Sequence, residues 1–361
     1  MNTRIELCLR DVEFLFKPFR HRKLCLPTRL VLEAGNRGLC PGGLPSVELL
    51  RAYTRSMSAG IGLVMTEGLA VSPCATNDAD APEFYSGPSL RRWRRVVHAV
   101  HANGGCIAAR LYHAGELRIG GSRRVVGKQP ALSPSGIHPV TLQAVGEPMS
   151  RARMADIADA FALAAWRARA LGFDAVAVNG PGGGLIDQFL HASTNRRSDE
   201  YGGSSVGRLR FVRELLAAVR RAVGARTPVI LRLPQRLASQ ELRPASTPGE
   251  LADIVQPLAE AGVDIFECAS DSVTQPAFAG SGRSFAGWVR YLTDRPVIAA
   301  GAAVCSQAVS EQARERDIRA QLRMLLLMMQ AGEFDLLAIR SASRADRAWA
   351  AQLRCGERCG D

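Results

Sequence analysis

The chain has 361 residues, of which 47% are hydrophobic and 22% are charged, and these proportions exclude a disordered or collagen-like protein. Its formal net charge of +12 at pH 7 raises the question of an acidic partner. The arginines are scattered and no nucleic-acid-binding motif surrounds them, so we expect a solvated basic surface and no nucleic-acid partner.

The apolar runs, the N-terminal segment and the cysteines bear on the cellular location of the protein. No apolar run approaches the roughly 18 residues of a membrane-spanning helix, and no apolar segment follows the charged N-terminus. We therefore expect a cytoplasmic protein without membrane contact. Nine irregularly spaced cysteines argue against a disulfide framework. Cys355 and Cys359 have no second pair after them, so we expect no metal site.

Short apolar segments alternate with amphipathic segments along the chain. Several apolar runs are continuous, which is typical of parallel strands buried on both faces. The expected strands are 29–33, 62–67, 105–111, 174–179, 228–233, 264–269, 296–301 and 335–340. The expected helices are 47–59, 89–102, 150–171, 207–223, 248–261 and 306–331.

Eight expected strands, most of them followed by an expected helix, predict an α/β fold, a closed (β/α)8 TIM barrel that forms a single domain over 1–361. The residues before Arg29 would cap its N-terminal end. Two long βα loops, 114–149 and 190–205, follow strand ends, where barrel enzymes place their active sites. The apolar run 324–329 favours core packing, with an association surface in a homo-oligomer as the alternative.

The most specific motif lies at and after the fourth predicted strand. It includes Asp187-Gln188-Phe189-Leu190, and then Asn195-Arg196-Arg197-Ser198-Asp199-Glu200-Tyr201-Gly202-Gly203-Ser204. These segments resemble the Old Yellow Enzyme family of FMN-dependent ene reductases. Thr66-Glu67-Gly68, Leu111-Tyr112-His113-Ala114-Gly115 and Leu231-Arg232-Leu233 extend the resemblance, which covers about 15–353. The chain is identified as a divergent member of that family.

The resemblance implies that FMN sits at the C-terminal ends of the strands. NADPH or NADH would reduce it, and the flavin would pass hydride to an activated alkene. Reduction places negative charge near N1 and O2 of the flavin, which a buried cation stabilises. Arg232 lies in an apolar strand and is costly to bury without an anion. We expect it to contact the flavin, with a structural salt bridge as the alternative.

By the same resemblance, three other residues would contact the flavin ring. Asn36 takes the place of a Thr or Cys near O4, and Gly68 would offer its backbone. Arg110 replaces the Gln that pairs with the pyrimidine edge. Because Gln donates and accepts whereas Arg only donates, this edge must be rearranged. The alternative is that Arg110 turns outward to a carboxylate such as Glu33, which stands at a normally apolar position.

The phosphate end also departs from the family pattern. The family has Gly-Gly after the seventh strand and Gly-Arg after the eighth, where backbone N–H groups and arginine bind phosphate. The corresponding residues here are Gly301 and Ala302, then Arg340 with Ser341 after it. A guanidinium, a hydroxyl and a glycine-containing turn are still present, so the resemblance implies phosphate binding by these four residues.

The residues expected to bind the substrate differ most from the family pattern. Asn179 and Gly182 stand where the family has a His-His or His-Asn pair, and Gly184 stands at its proton-donating Tyr. Asn179 alone would polarise the substrate, at a loss on the order of 1–3 kcal/mol per missing bond. Tyr112 is the first candidate for the missing acid. We expect a flavoenzyme with an altered substrate, acting in a biosynthetic pathway as a reductase, desaturase or isomerase.

The alternative hypothesis is a non-catalytic barrel. In that interpretation the substrate site has decayed, and the barrel, with or without bound flavin, serves as an interaction partner for another protein. The intact sequence around residues 185–190 and the retained Arg232 favour the enzyme.

Overall fold

The structure is a computed structural model that describes residues 12–76, 78–117, 132–178, 182–236, 244–301 and 311–340. For 311–319 and for residue 340 it describes the backbone only. The strands are β1 (Phe19–His21), β2 (Leu24–Leu26), β3 (Leu30–Glu33), β4 (Leu63–Met65), β5 (Leu69–Ala70), β6 (Cys106–Tyr112), β7 (Ala175–Val178), β8 (Val229–Pro234), β9 (Ile265–Ser270), β10 (Val297–Gly301) and β11 (Leu336–Arg340). The helices are α1 (Val47–Ser58), α2 (Gly87–Ala102), α3 (Arg151–Leu171), α4 (Leu185–Leu190), α5 (Ser205–Val223), α6 (Pro248–Glu260), α7 (Phe285–Thr293) and α8 (Glu311–Gln330).

The strands β3, β4 and β6 to β11 are parallel and form a closed barrel. Each pairs with its neighbours in chain order, and the circle closes where β11 pairs with β3 and β4 pairs with β6. The two-residue β5 adds a short pairing outside this circle, against the end of β6. The predicted (β/α)8 barrel is confirmed.

The interior of the barrel is filled by alternate residues of its strands, as a period of two requires. One apolar cluster occupies this interior. A second and larger cluster lies between the outer face of the strands and the helices. Phe19, Leu24 and Leu26 of the β1–β2 hairpin belong to the interior cluster, so the hairpin closes the N-terminal end. The predicted N-terminal cap is confirmed.

The helices begin where the sequence supplies a capping hydroxyl. A side-chain oxygen accepts the N–H three residues later, which satisfies a backbone donor that the first turn leaves unpaired. The residues that cap helices in this way are Ser46, Ser86, Ser150, Ser204, Thr247 and Ser284. Helices α4 and α7 were not among the predicted elements. α4 is the shortest of the α-helices named above, and α7 is only nine residues long and follows an irregular stretch.

The apolar run at the end of α8 is mostly core. Leu325 and Leu326 are buried, as are Met328 and Met329, in accordance with the favoured interpretation. Met324 and Leu327 are about half exposed. Within the described ranges, no helix combines the length and apolar character needed to cross a membrane. The same ranges contain no group of three or more His, Cys, Asp or Glu residues arranged to hold a metal, and Cys355 and Cys359 lie outside them.

Candidate active site

Four charged side chains lie together inside the barrel. On β3, β6, β8 and β9 the inward positions carry an apolar residue first, in the interior cluster, and a charged residue two positions later. The charged residues are Glu33, Arg110, Arg232 and Glu267, which are 0–7% exposed. Because the period of a strand is two, each charged side chain points into the barrel above the apolar layer. We call these four residues the charged quartet.

The contacts within the quartet form a closed ring of alternating charge. Arg232 Nη1 donates to Glu33 Oε1 over 2.7 Å and also to Glu267 Oε1. Arg110 Nη1 donates to the same Glu33 oxygen over 3.4 Å, and Arg110 Nη2 donates to Glu267 Oε1 over 3.0 Å. Each guanidinium therefore contacts both carboxylates, which compensates the cost of burying four charges.

The carboxylates also determine the protonation of the arginine. Burial by itself would lower the pKa of the Arg232 guanidinium, but Glu267 and Glu33 raise that pKa above its ordinary value. Arg232 is therefore a permanent cation. Arg110 Nε is buried and has no hydrogen-bond partner among the residues described. The quartet thus presents a buried donor that no described residue satisfies.

A second buried group borders the quartet on the side of β4. The Tyr53 hydroxyl donates to Glu67 Oε2 over 2.5 Å. Desolvation raises the pKa of Glu67, although the Tyr53 hydrogen bond and the positive charges of Arg37 and Arg110 oppose this shift. Thr66 Oγ1 accepts the backbone N–H of Arg110 over 3.0 Å, so this segment also fixes the strand that carries Arg110.

Tyr112 packs directly against Gly68. A Cβ atom at Gly68 would lie 3.1 Å from Tyr112 Cβ and Cγ, so the aromatic ring occupies the space that a side chain would need. Tyr112 is 7% exposed, and burial, together with the charge of Asp187, raises the pKa of its hydroxyl above the ordinary value. The Tyr112 hydroxyl therefore keeps its proton throughout the physiological pH range.

The family-like motif holds two loops of the barrel mouth together. Gln188 Nε2 donates to the carbonyls of Ala114, over 3.0 Å, and Gly183, over 2.7 Å. Gln188 Oε1 accepts the N–H of Glu116, over 3.1 Å. Asp187 Oδ2 accepts the N–H of Gly183 over 2.8 Å. These bonds connect the loop after β6 to the loop after β7, and they position the glycines that precede α4.

The second half of the motif anchors the preceding long loop. Arg197 forms a two-point ion pair with Asp199, over 2.9 and 2.6 Å. The same guanidinium donates to the carbonyls of Pro134 and Met149, over 2.9 and 2.7 Å. Asn195 Nδ2 donates to the carbonyls of Phe189, over 2.9 Å, and Tyr201, over 2.8 Å. The described contacts of this segment are therefore structural, since they join the loop after β6 to the loop before α5.

Two buried histidines flank these loops. The His113 Nδ1 accepts the N–H of Gly115 over 3.0 Å, so the proton of the neutral ring is on Nε2. Burial lowers the pKa of His113 to about 4, and burial together with Arg208 lowers the pKa of His191 to about 4. Within the described parts of the chain, neither Nε2 has a hydrogen-bond partner. Both rings are therefore uncharged near neutral pH.

The described hydrogen bonds of Asn36 are with residues outside the quartet. Asn36 is exposed, its Nδ2 lies 3.4 Å from Asp78 Oδ2, and its Oδ1 accepts the N–H of Gly38. The ion pair between Arg110 and Glu33 that was weighed from the sequence is present, but Arg110 points inward rather than outward. Arg232 lies in the barrel interior and forms ion pairs with two carboxylates of the protein, those of Glu33 and Glu267.

The other predicted site residues lie partly outside the described ranges. Gly182 and Gly184 are described, and Gly184 is the N-cap of α4. Gly301 ends β10, where a Cβ atom would lie 2.3 Å from the carbonyl oxygen of Ser270. Asn179, Ala302, Ser341 and the side chain of Arg340 lie outside the described residues.

Glu267 is the member of the quartet that sequence reasoning missed. It lies between Phe266 and Cys268 on an apolar strand, as Arg232 lies between Leu231 and Leu233. The same signal, a single charged residue in a buried strand, was available for both. The register between β8 and β9 pairs Arg232 with Glu267. The sequence of either strand alone does not contain this pairing.

The chain matches a known protein family over most of its length. The model of the NADH:flavin oxidoreductase / NADH oxidase family matches residues 14–324. The chain belongs to this family, and the predicted resemblance to Old Yellow Enzymes is confirmed. Membership supports FMN as the cofactor and NADH or NADPH as the reductant.

Two curated relatives show how far the sequence differs from those of known members of the family. A metal reductase from Desulforamulus reducens is 32% identical over 261 residues, which are 70% of this chain and 37% of that protein. The 12-oxophytodienoate reductase 7 of Oryza sativa subsp. japonica is 30% identical over 233 residues, 58% of this chain and 56% of that protein. The chain thus spans well under two thirds of the length of these relatives.

Solved structures agree with the fold. A morphinone reductase in complex with tetrahydroNAD superposes with a TM-score of 0.77 at 24% identity, covering 96% of this chain and 92% of that one. The Old Yellow Enzyme from Pichia sp. AKU4542 gives 0.75 at 21% identity, covering 96% and 87%.

The described residues fit the ring of FMN. The pyrimidine edge of a flavin presents oxygen acceptors, and the quartet offers two guanidiniums, including the unpartnered Nε of Arg110. Its carboxylates supply the acceptor function that Arg110 alone lacks. Gly68 offers backbone without a side chain. Arg110, Arg232 and Gly68 are therefore the residues that would hold the ring.

Proposed function

We propose that this protein is an FMN-dependent oxidoreductase of the Old Yellow Enzyme type that transfers hydride to or from an activated alkene. When bound, FMN supplies the two-electron carrier between NAD(P)H and a small-molecule substrate. The observation that carries the proposal is the pair of buried guanidiniums, Arg110 and Arg232, which meet inside a barrel that belongs to a flavin-dependent family.

The cofactor contacts in this proposal follow from the site. Arg232 and Arg110 hold the pyrimidine edge of the ring, because permanent cations stabilise negative charge on the reduced form. Gly68 would support the ring through its backbone, and Asn36 is the residue assigned to O4 by the family resemblance. The phosphate group is assigned to a separate set of residues at the ends of the seventh and eighth barrel strands. This set comprises Gly301, Ala302, Arg340 and Ser341.

The substrate end of the proposal rests on small residues. Asn179 would donate its amide to the substrate, while Gly182 and Gly184 have no side chain where the family resemblance has larger polar ones. The Tyr112 hydroxyl holds a proton at neutral pH and is the acid that we assign to the reaction. Space without donors favours a bulkier substrate than a simple enone, handled by a reductase, desaturase or isomerase in a biosynthetic pathway.

The visible spectrum of the purified protein tests the proposal. We expect a yellow protein that contains FMN and that NADPH or NADH bleaches under anaerobic conditions. A colourless protein that does not bind added FMN would favour the non-catalytic barrel instead. That second candidate has its own support, since the quartet pairs both guanidiniums with protein carboxylates.

A further inference from the structure

The charged quartet carries no net charge. Arg110 and Arg232 contribute two positive charges, and Glu33 and Glu267 contribute two negative ones, in mutual contact. Asp187 is buried nearby and adds negative charge, so it acts in the same direction as the two glutamates. Two buried arginines would by themselves make a strongly positive site, and the protein cancels that charge from within.

By the family resemblance, Arg110 replaces a neutral Gln and Glu33 stands at a normally apolar position. Relative to that pattern, this barrel layer holds one additional cation and one additional anion. Glu267 is 0% exposed and Glu33 is 7% exposed, so solvent screens neither carboxylate to any large extent.

We infer that Glu33 and Glu267 are electrostatic tuning residues of the flavin site. They cancel the positive charge of the two arginines and thereby weaken the preference of the site for reduced over oxidised flavin. The inference rests on the proposed function. It adds the two carboxylates as residues that act on the cofactor through Arg110 and Arg232.

Reduction would add negative charge to a bound flavin. A hydride supplied by NADH would leave NAD⁺ and give the neutral ring one additional negative charge. A positive site binds that ring more tightly than the oxidised one, and a neutral site discriminates less. Removing one carboxylate raises the site charge by one unit, and a unit change within several Å in a buried site alters affinity by about tenfold or more.

The test measures the dissociation constants of oxidised and anaerobically reduced FMN for the purified protein. The quantity of interest is the ratio of the oxidised to the reduced constant. We expect Glu33→Gln to raise this ratio about tenfold and Arg110→Gln to lower it about tenfold. The double variant Arg110→Gln with Glu267→Gln restores a neutral cluster, and its ratio should stay within about threefold of the wild-type value.

The double variant keeps the test decisive if a single variant does not fold. Removal of one partner leaves an uncompensated buried charge, whereas the double variant removes a cation and an anion together. A ratio within about threefold of wild type in the double variant, together with the expected shift in whichever single variant folds, supports the inference. A fall of about tenfold in the ratio of the double variant would overturn it.

Glu214→Gln is the matched control. Glu214 lies on α5, contacts Arg210 at the surface and is about half exposed. The control makes the same chemical change as Glu33→Gln. Because water screens the charge of Glu214, the ratio of the oxidised to the reduced dissociation constant in Glu214→Gln should stay within about twofold of wild type. An equal rise in Glu214→Gln and Glu33→Gln would assign the effect to overall charge and overturn the inference.

Different results would refute the proposed function and the role of the two carboxylates. Wild-type protein that binds neither form of FMN would refute the flavin proposal, and the inference with it. Wild-type protein that binds FMN with the same ratio as Glu33→Gln would refute only the role of the carboxylates.

Discussion

Arg232 and Glu33 form a buried ion pair of 2.7 Å although 199 positions separate them in the chain. The two residues come from strands on different sides of the barrel, and each points inward two positions after an apolar interior residue. Closure of the barrel brings them together. The pair therefore couples the electrostatics of the candidate site to the stability of the fold.

The first prediction concerns loss of this cation. Arg232→Ala leaves Glu33 and Glu267 with one guanidinium between them, and we expect unfolding free energy to fall by about 3–5 kcal/mol. We also expect the variant to lose FMN. Urea unfolding and the flavin absorbance of the purified protein measure these effects. Arg153→Ala, at a half-exposed surface ion pair, is the control and should change stability by less than about 1 kcal/mol. Unchanged flavin content in Arg232→Ala would contradict the placement.

The second prediction concerns the glycine next to Gln188. Gly115 has a φ of +63°, and an added Cβ atom would lie 2.4 Å from Gln188 Oε1. We expect Gly115→Ala to destabilise the protein by about 2–4 kcal/mol, since backbone strain adds to displacement of a hydrogen-bonded buried amide.

Gly104 provides the control for this prediction. Its φ is +75°, but an added Cβ atom would meet nothing within 4 Å. Gly104→Ala should therefore cost only the backbone strain, about 1–2 kcal/mol. Thermal and urea unfolding of both variants give the comparison. Equal losses in the two would mean that the Gln188 contact contributes nothing.

The third prediction concerns acid stability. Because burial lowers the pKa of His113 and His191 to about 4 from 6.5, the unfolded chain binds protons more readily than the folded one. Stability should therefore fall as pH drops from 6.5 to 4, by about 2 kcal/mol per histidine between pH 7 and pH 5. Urea unfolding at both pH values tests this. His113→Asn should flatten the dependence, and a variant as acid-sensitive as wild type would argue against the lowered pKa.

The fourth prediction concerns the proton donor. Gly184 has φ −66° and ψ 179°, an extended conformation that any residue adopts. The backbone therefore does not oppose Gly184→Tyr, although position 184 is buried. The folded variant should increase the rate of reduction of a simple enone by about tenfold or more by adding an acid. Gly184→Phe has the same ring without the hydroxyl and is the matched control. Equal rates for the two variants would show that the phenol does not reach the substrate.

Much of the barrel was predictable because each strand can be recognised from the pattern of its own residues. The runs around Val229 and Val297 are apolar on both faces, as a strand between a filled interior and a helix layer must be. The capping hydroxyls of Ser86 and Ser204 mark helix starts in the same local way. The short helix α4 escaped prediction because its six residues are all buried, so its sequence has no amphipathic period.

The site was less predictable, since its contacts join distant segments. Arg232 could be recognised as a costly buried cation, and Glu33 as an unusual charge, each from its own strand. Glu267 carries the same signal, but only the register between β8 and β9 makes it the partner of Arg232. The ring of four contacts needs all four strands in place.

The sequence by itself determined the architecture, the family and the presence of isolated charges in buried strands, because burial and periodicity act on neighbouring residues. Tertiary structure alone decided which charges neutralise one another. Coulomb energy depends on distance in space, and only the closed barrel places Glu33, Arg110, Arg232 and Glu267 within hydrogen-bond reach of each other.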